Sequence, residues 1–497
     1  GSEMCIRDRY IMNKISCFLP YAGKEQVEKT VNSLQATGLI EEIRLITTDA
    51  TLESLPDCEI LFVDMPYSSA TLKAIANAAK GEYTLLYTKE TTLEMGMFAL
   101  ERMIHILEDS SAGMVYADHY QIADGKQSNA PVIDYQFGSL RDDFNFGSLL
   151  LFNTEKLKEA AGHMKSDYNF AGLYDLRLKL SQHSNLVHIN EYLYSEVEND
   201  TRKSGEKIFD YVDPKNRDRQ IEMEQACTEH LKEIGGYLAP EFKKIEFSAG
   251  NFEYEASVII PVRNRIRTIR DAIKSVLMQK TDFKYNLIII DNHSTDGTTE
   301  AIDEFKDDER LIHIVPERND LGIGGCWNVG VHHPKCGKFA VQLDSDDVYK
   351  DENTLAIMVR AFYEQNCAMV VGTYMMTDFN MNMIAPGIID HKEWTPANGR
   401  NNALRINGLG APRAFYTPVL REVKVPNTSY GEDYALGLNF SRQYQIGRVY
   451  DVVYLCRRWD DNSDASLDIV KMNGHNLYKD RIRTWELQAR IAMNKNK

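Results

Sequence analysis

An apolar run that ends in a cluster of acids constrains the fold of this chain more than any other segment. Residues 338–343 are mostly apolar and of strand length, and Asp344, Asp346 and Asp347 follow at once. Acids directly after a buried strand lie at its carboxyl end, where an open α/β sheet binds its ligands. Carboxylates this close repel one another and lose hydration on burial, so they predict a hard divalent cation among them. The cation in turn suggests a phosphate-bearing substrate.

Strand and helix patterns alternate around this run and again in the first half of the chain. β-rich runs predict strands at residues 14–19, 43–47, 59–63, 256–261, 286–290, 310–315 and 338–343. Helical spacing of apolar residues predicts helices at 26–37, 72–79 and 268–279. Such alternation is typical of a parallel sheet with right-handed crossovers. The predicted class is α/β, with two tandem Rossmann-like domains that are each built on a mostly parallel sheet.

The two halves also match around the acidic run. The segment that ends at Glu90 aligns without a gap with the segment that ends at Asp346, which indicates an internal duplication. In this alignment Thr88 replaces Asp344, and the first copy gains the cation Lys89. We therefore expect the metal site of the first copy to be lost.

A chain of 497 residues exceeds the length of about 100–200 residues that one domain usually has. The predicted segments are a tag or cloning leader at 1–11, with Met12 as the natural start, a degenerate, non-catalytic domain at 12–200, a charged helical connector at 201–252, an acid-bearing domain expected to be catalytic at 253–475, and a C-terminal amphipathic helix at 476–497. The last helix is expected to dock on its own domain, with contact to a membrane surface as the alternative.

Composition excludes several classes of protein. The formal net charge of −16 argues against a surface that tracks nucleic-acid phosphates. The 8 cysteines are scattered and form no C-x-x-C pair, which fits a reducing cytoplasm. No uninterrupted apolar run reaches the length of about 18 residues that a membrane span needs. A cytoplasmic protein without a transmembrane segment is the prediction.

A second acid follows the strand predicted at 286–290. Asp291 stands at its end and Asp296 begins the turn that follows, where carboxylates can accept hydrogen bonds from a nucleobase or a ribose. An ordinary turn with a capping Ser294 would use the same residue types. The position after a second strand favours the ligand.

Two later segments add acids, cations and an aromatic ring. Glu432 and Asp433 stand at the predicted start of a helix, where one could act as a general base, although the helix dipole alone also favours acids there. In the first copy, Asp175 is expected at the matching place. Arg458 could stabilise a leaving diphosphate and Trp459 could stack on a sugar, but surface arginines often do neither.

Taken together, the segment from residue 254 to residue 466 resembles the family 2 glycosyltransferases, which have a GT-A fold. The resemblance rests on these residues in this order: Pro261, Arg263, Asn264, Asp291, Asp296, Asn328, Asp344, Ser345, Asp346, Asp347, Glu432 and Asp433. The first half looks like a degenerate GT-A-like copy. Two departures stand out, because Asn292 and His293 follow Asp291 where the family often has a second acid, and Arg458 and Trp459 stand near the place of a frequent histidine.

The resemblance implies a role for each residue of the second copy. Asp291 would contact the base, Asp344 the ribose and the metal, and Asp346 a Mn²⁺ or Mg²⁺ ion that bridges the diphosphate, while Asp433 beside Glu432 would be the catalytic base. The remaining nucleotide-sugar contacts would come from Pro261, Arg263, Asn264, Asp296, Asn328, Ser345, Arg458 and Trp459. The implied donor is a UDP-sugar or, less favoured, a GDP-sugar, and the implied acceptor is the hydroxyl of a carbohydrate.

The implied reaction is an inverting transfer. A metal-bound diphosphate leaves without a protonating acid, so one base and one metal suffice. One alternative is a nucleotidyltransferase, which the arginines at 263, 265, 267 and 270 keep open. The other is an inactive carbohydrate-binding or scaffold protein, against which the intact acids of the second copy count.

Overall fold

The computed structural model describes residues 14–21, 23–53, 55–197, 217–248, 250–392, 394–459 and 467–496. The leader predicted at 1–11 and the part of the connector predicted before residue 217 lie outside them. The described residues form two compact units. The first contains the residues up to 197 together with 217–234 and 468–480, and the second contains 235–467 and 481–496.

The first unit contains a 9-stranded sheet. Its strands are β1 (Ile15–Pro20), β2 (Ile40–Thr47), β3 (Glu59–Phe62), β4 (Tyr83–Tyr87), β5 (Leu93–Met95), β6 (Met114–Ala123), β7 (Lys126–Ala130), β8 (Leu149–Asn153) and β9 (Leu186–Val197). Its helices are α1 (Lys24–Gln35), α2 (Ser69–Ala78), α3 (Ala99–Asp109), α4 (Thr154–Gly162), α5 (Gly172–His183) and α6 (Arg217–Glu233). Along β1, Cys17 and Leu19 belong to one buried cluster and Phe18 to another, so both faces of this sheet are covered.

The second unit contains another 9-stranded sheet. Its strands are β10 (Ala256–Val262), β11 (Tyr285–Asp291), β12 (Leu311–Ile314), β13 (Phe339–Gln342), β14 (Val348–Tyr349), β15 (Met369–Thr377), β16 (Met383–Ile389), β17 (Arg413–Tyr416) and β18 (Ile446–Arg457). Its helices are α7 (Ile269–Leu277), α8 (Thr298–Asp303), α9 (Ile323–His332), α10 (Thr354–Gln365), α11 (Gly399–Asn402), α12 (Thr417–Val423) and α13 (Glu432–Gln443). A last helix, α14 (Ile469–Lys495), contributes its first residues to the first unit and its remainder to the second.

The two sheets share one strand order. The first runs β3-β2-β1-β4-β8-β6-β9-β5, with β7 beside β6, and the second runs β12-β11-β10-β13-β17-β15-β18-β14, with β16 beside β15. Each strand of the first sheet thus has a counterpart in the second. The predicted α/β class with two tandem, mostly parallel domains is confirmed.

Strand packing explains why the sequence pattern was informative in the second unit. β11 is buried at every position, and β10 at all but one, because the sheet is covered on both faces there. β10 pairs in parallel with β11 on one side and with β13 on the other. The carboxyl ends of these strands therefore meet at one edge of the sheet.

The segment predicted as a connector is divided between the units. Helix α6 buries Met223, Cys227 and Leu231, and it is counted with the first unit. The Glu222 carboxylate on this helix accepts hydrogen bonds from the backbone N–H groups of residues 169, 170 and 171, at distances of 3.1, 2.6 and 3.1 Å. Glu222 thereby pairs amides at the start of α5 that the helix itself leaves without acceptors.

Helix α14 begins at Ile469, earlier than predicted, and packs on protein along its length. Within the second unit, the fully buried Arg483 donates to the hydroxyl of Tyr434, and the fully buried Arg490 donates to the hydroxyl of Ser441, at 2.8 and 3.0 Å. Both acceptors lie on α13. Trp485 of this helix is 57% exposed.

Candidate active site

The second unit has a cleft of about 290 Å³ at the carboxyl end of its sheet. Residues from the ends of β10, β13 and β18 and from the start of α13 line it. Seven predicted site residues are among them: Pro261, Asp344, Ser345, Asp346, Glu432, Asp433 and Arg458. The structure therefore brings the turn that was predicted to hold a cation next to the acids that were predicted to supply a base.

The acidic turn after β13 is anchored by one of its own acids. Asp347 is buried and accepts hydrogen bonds from the Tyr454 hydroxyl at 2.8 Å and from the Arg457 backbone N–H at 2.7 Å. The Arg457 side chain donates to the carbonyl of Asp346 at 2.6 Å. Burial raises the pKa of Asp347 well above its usual value, and the charges of Asp346 and Asp344 raise it further. Asp347 thus fixes the turn on β18.

Asp344 and Asp346 lie on the cleft side of this turn. Asp344 accepts a hydrogen bond from the Gln342 amide at 2.8 Å. Burial raises the pKa of Asp344, Arg413 opposes this rise, and the charge of Asp346 adds to it. The carboxylate of Asp346 lies 3.8 Å from the guanidinium of Arg265.

The donor set of this turn fits a hard divalent cation. Within the described residues, no group of at least three His, Cys, Asp or Glu side chains is arranged to hold a metal ion. Magnesium and manganese, however, often bind through one or two carboxylates and take their other oxygen ligands from water and substrate phosphates. Asp344 and Asp346 supply two carboxylates that line one cleft, which is the kind of donor such an ion requires.

The acids at the start of α13 have different surroundings. Gly431 takes a left-handed conformation with φ of 81° and lets the chain turn into the helix. Asp433 forms an ion pair with Arg413 at 3.0 Å and accepts the Tyr434 backbone N–H at 2.7 Å. Glu432 has a buried Oε2 atom without a hydrogen-bond partner in the part of the chain that the structure describes. Burial raises the pKa of Glu432 to about 8, and the charge of Asp433 contributes.

Asp291 lies beneath the surface and not on the wall of the cleft. It is fully buried and accepts hydrogen bonds from the Ser294 backbone N–H at 3.0 Å and from the Thr299 hydroxyl at 2.5 Å. Burial would raise the pKa of this carboxyl, but hydrogen bonds from His313, Ser294 and Thr299 hold the pKa well below its usual range. In this structure Asp291 fixes the turn between β11 and α8.

Asn264 and Asp296 join the loops that follow β10 and β11. Asn264 accepts the Thr295 backbone N–H at 2.8 Å, and Asp296 accepts the Ile266 and Thr298 backbone N–H groups at 3.1 and 3.0 Å. Both side chains shape the edge of the sheet without lining the cleft.

The other predicted nucleotide-sugar residues lie outside the cleft lining. Asn328 binds the backbone of Val425, donating to its carbonyl at 2.7 Å and accepting its N–H at 3.0 Å. Trp459 stacks with the guanidinium of Arg267, at 4.8 Å from the ring centre. Arg263 is exposed.

Sequence reasoning did not single out several residues that the cleft contains. These are Ile323, Trp327, Gln342, Arg413, Phe415, Val425, Leu436 and Cys456, which line it together with Arg265 and Asp347. Arg413 stands out because it pairs with Asp433. Comparison of the two sheets, which requires the strand registers, is the signal that reveals it.

The strand registers align the two units residue by residue. Phe152 pairs with Met114 as Phe415 pairs with Met369, so Leu150 stands at the position of Arg413. Helices α5 and α13 both run for 12 residues, and the strands that follow begin equally soon after them. Gly172 and Leu173 therefore stand at the positions of Glu432 and Asp433.

The expectation that Asp175 matches the acid pair is wrong. Tyr174 and Tyr434 occupy equivalent positions, and each hydroxyl donates to a backbone carbonyl of a preceding loop. Asp175 follows Tyr174 and is fully buried, 3.8 Å from Lys179, with both carboxylate oxygens lacking a hydrogen-bond partner among the residues described. The first unit has a separate cavity of about 230 Å³, which Leu150 and Leu173 line together with Phe144, Phe146 and Phe170.

No helix within the described ranges is both long enough and apolar enough to cross a membrane.

The second unit contains the region that resembles known proteins. A model of the family described as Glycosyl transferase family 2 matches residues 257–414. An uncharacterized glycosyltransferase of Rickettsia felis is 37% identical over 198 residues, which are 39% of this chain and 31% of that protein. The glycosyltransferase GlyG of Streptococcus pneumoniae is 27% identical over 122 residues, which are 24% of this chain and 40% of that protein. The chain thus spans less than half the length of either relative.

A solved structure of TarS residues 1–349 from S. aureus, in complex with UDP-GlcNAc, is 17% identical and has a TM-score of 0.36. The similarity covers 49% of this chain and 72% of that one. The family match includes the ends of β10, β11 and β13 and the acidic turn. The chain therefore carries a glycosyltransferase family 2 domain in its second unit.

Proposed function

We propose that the second unit is an inverting, metal-dependent glycosyltransferase that works in the cytoplasm. It moves a sugar from a nucleoside-diphosphate sugar to a hydroxyl of a carbohydrate acceptor. The observation that carries this proposal is one cleft lined by two kinds of carboxylate: Asp344 and Asp346 from the turn after β13, and Asp433 from the start of α13. The first pair suits a cation and diphosphate, and the second suits the proton of an attacking hydroxyl.

Asp433 is the base of this proposal. Glu432 has a raised pKa of about 8, so it holds its proton at neutral pH and cannot accept another. Asp433 is paired with a guanidinium and lines the same cleft. Its carboxylate removes the proton of the acceptor hydroxyl as that oxygen attacks the anomeric carbon from the face opposite the diphosphate. Inversion follows from this single displacement.

Asp344 and Asp346 would hold Mn²⁺ or Mg²⁺. When bound, the ion supplies positive charge that makes the nucleoside diphosphate a good leaving group. Arg265 and Arg458 line the same cleft and add protein cations near the diphosphate. The preference for a UDP-sugar over a GDP-sugar rests on the sequence resemblance.

The first unit is the non-catalytic copy in this proposal. Thr88 replaces Asp344, and Gly172 and Leu173 replace the two acids of α13. Neither a pair of metal ligands nor a base remains at the equivalent positions. A structural or acceptor-binding role is left for this unit.

The nucleotidyltransferase alternative needs a basic loop for a triphosphate. Arg270 is instead paired with Glu304 at 2.5 Å, and Arg267 stacks on Trp459. The two enzymes release different products, since a nucleotidyltransferase releases pyrophosphate and a glycosyltransferase releases a nucleoside diphosphate.

The test is product release with Mn²⁺ from UDP-glucose, UDP-N-acetylglucosamine and GDP-mannose, with water as the acceptor. We expect the full chain to release UDP or GDP from at least one donor, and Asp433→Asn to lower the rate by about 10²–10⁴-fold. Asp142→Asn, which changes an aspartate of the first unit, should leave the rate unchanged. No nucleotide release by the wild-type chain, or an undiminished rate in Asp433→Asn, would reject the proposal.

A further inference from the structure

Arg413 occupies a decisive place in the cleft, although the sequence gives no sign of it. It is the first residue of β17, and its side chain is only 14% exposed. Its guanidinium forms the ion pair with Asp433 at 3.0 Å. Both side chains are partly buried, with Arg413 14% and Asp433 26% exposed, so the loss of either partner leaves a charge with only part of its hydration.

The backbone of Arg413 extends this contact to the acidic turn after β13. Its N–H donates to the Gln342 side-chain oxygen at 3.1 Å, and the Gln342 amide nitrogen donates to Asp344 at 2.8 Å. One chain of hydrogen bonds and an ion pair therefore runs from Asp344 through Gln342 and Arg413 to Asp433. It connects the carboxylate on the diphosphate side with the carboxylate on the acceptor side.

The first unit shows what happens to this chain of contacts in the copy without the acids. The pairing of β1 with β4 and of β10 with β13 places Leu86 at the position of Gln342. Leu150 and Leu173 stand at the positions of Arg413 and Asp433. The three polar residues Gln342, Arg413 and Asp433 thus each have a leucine at the equivalent position of the first unit, whose sheet has the same strand order.

We infer that Arg413 is a positioning residue that fixes the carboxylate of Asp433 towards the acceptor hydroxyl, with Gln342 setting the distance to Asp344. This inference rests on the proposed function. Asp433 has two side-chain torsions. A fixed contact between the Arg413 guanidinium and one carboxylate oxygen of Asp433 selects one combination of these torsions. A displacement of about 1 Å at a reacting group can cost about 10²-fold in rate.

The first experiment measures whether the two residues act as a pair, and it needs no substrate. Arg413→Leu and Asp433→Leu are each expected to lower the Tm of the second unit by about 2–5 °C, because each leaves a partly buried charge without its partner. The double variant recreates the leucine pair of the first unit. We expect its Tm to lie above that of either single variant.

The second experiment measures positioning through donor hydrolysis by the full chain. Arg413→Gln should lower kcat about 10²-fold and leave KM for the donor within about twofold, since the proposal assigns Arg413 to Asp433 and not to the diphosphate. Arg413→Lys should recover part of kcat. Arg413→Gln should add no further loss to Asp433→Asn. Arg310→Gln is the matched control. Arg310 forms an ion pair with Asp308 at a distance of 2.7 Å, and neither residue lines the cleft.

The outcomes separate the two proposals. Absent hydrolysis by the wild-type chain rejects the proposed function and the positioning role with it. Hydrolysis by the wild type together with an unchanged kcat in Arg413→Gln rejects the positioning role alone, as do independent losses in Arg413→Gln and Asp433→Asn. Additive Tm changes in the leucine cycle would show that the residues do not act as a pair. A variant that does not fold is replaced by Arg413→Lys, whose charge keeps the ion pair.

Discussion

The two neighbouring acids at the start of α13, Glu432 and Asp433, have different surroundings. Glu432 is buried with an oxygen that lacks a hydrogen-bond partner among the described residues, whereas Asp433 faces a guanidinium. Burial without a partner favours the neutral form of a carboxyl, and the pKa of Glu432 is raised accordingly. Pairs of titratable groups whose environments differ in this way mark the division of acid and base roles.

A prediction about pH follows for Glu432. Its pKa rises from 4.5 to about 8 in the native state. The native state therefore binds a proton that the unfolded state has lost, and the free energy of unfolding falls as pH rises between about 4.5 and about 8. Glu432→Gln lacks this loss. We expect its free energy of unfolding to gain on that of the wild type as pH rises, by on the order of 2–4 kcal/mol at pH 8, and its Tm to rise relative to the wild type accordingly.

The measurement is a series of melting curves from pH 5 to pH 9. Glu317→Gln, at an exposed position, serves as the control and should follow the wild type at every pH. Parallel curves for Glu432→Gln and the wild type would contradict the raised pKa.

Residue types that follow strands could be predicted from the sequence, but their orientation could not. Asp344 and Asp346 come after an apolar run, and the run fixes their edge of the sheet. Asp291 fits the same rule, yet the structure shows its carboxylate turned inward to Ser294 and Thr299. A sequence pattern predicts at which end of a strand a side chain lies, but it does not predict the hydrogen-bond partners of that side chain.

At the scale of elements, the strands were predictable and the matching of distant helices was not. Apolar runs located β10, β11 and β13 to within about two residues. The misplaced Asp175 came from matching acids by type, when the feature that the two helices share is the tyrosine at their third position. Arg413 lies on a strand of 4 residues, too short for periodicity to show.

A prediction at this scale concerns the cap that α6 gives to α5. Glu222 accepts three backbone N–H groups there, and hydrogen bonds to a charged group are worth about 1.5–3 kcal/mol in favourable cases. Glu222→Ala should speed amide hydrogen exchange at residues 169–175 by about tenfold or more. Gln225→Ala, at an exposed position of the same helix, should not.

Hydrogen exchange read by mass spectrometry measures this effect locally, which matters because two units need not unfold in one step. Unchanged exchange in Glu222→Ala would show that the cap does not hold the start of α5.

At the scale of the whole molecule, the two sheets have the same strand order but different residues at the edge where their strands end. In the second unit the edge holds acids and a cleft, and in the first it holds leucines and phenylalanines around a cavity. Folding requires the pattern of buried strands, which both copies share. Chemistry requires a few polar residues at the strand ends, and these residues differ between the copies.

The prediction at this scale uses the equivalent acids Asp346 and Glu90. UDP with Mn²⁺, at 100 times its dissociation constant, should stabilise the wild-type chain by about 2.7 kcal/mol. Asp346→Ala should abolish this stabilisation because it removes a ligand of the cation. Glu90→Ala should retain it. A thermal-shift assay with UDP alone, Mn²⁺ alone and both together measures this stabilisation. Loss of the shift in Glu90→Ala would show that the nucleotide binds the first unit, which would contradict the proposal.

Helix α14 has a practical consequence for work on fragments. The family match ends at residue 414, before α13 begins, and Arg483 and Arg490 brace α13 from a helix still further along the chain. Truncation after β18 would leave Tyr434 and Ser441 without these donors, next to the residue assigned as base. A fragment intended for catalysis or crystallisation should therefore retain the C-terminal helix, because the boundary of sequence similarity is not the boundary of the folding unit.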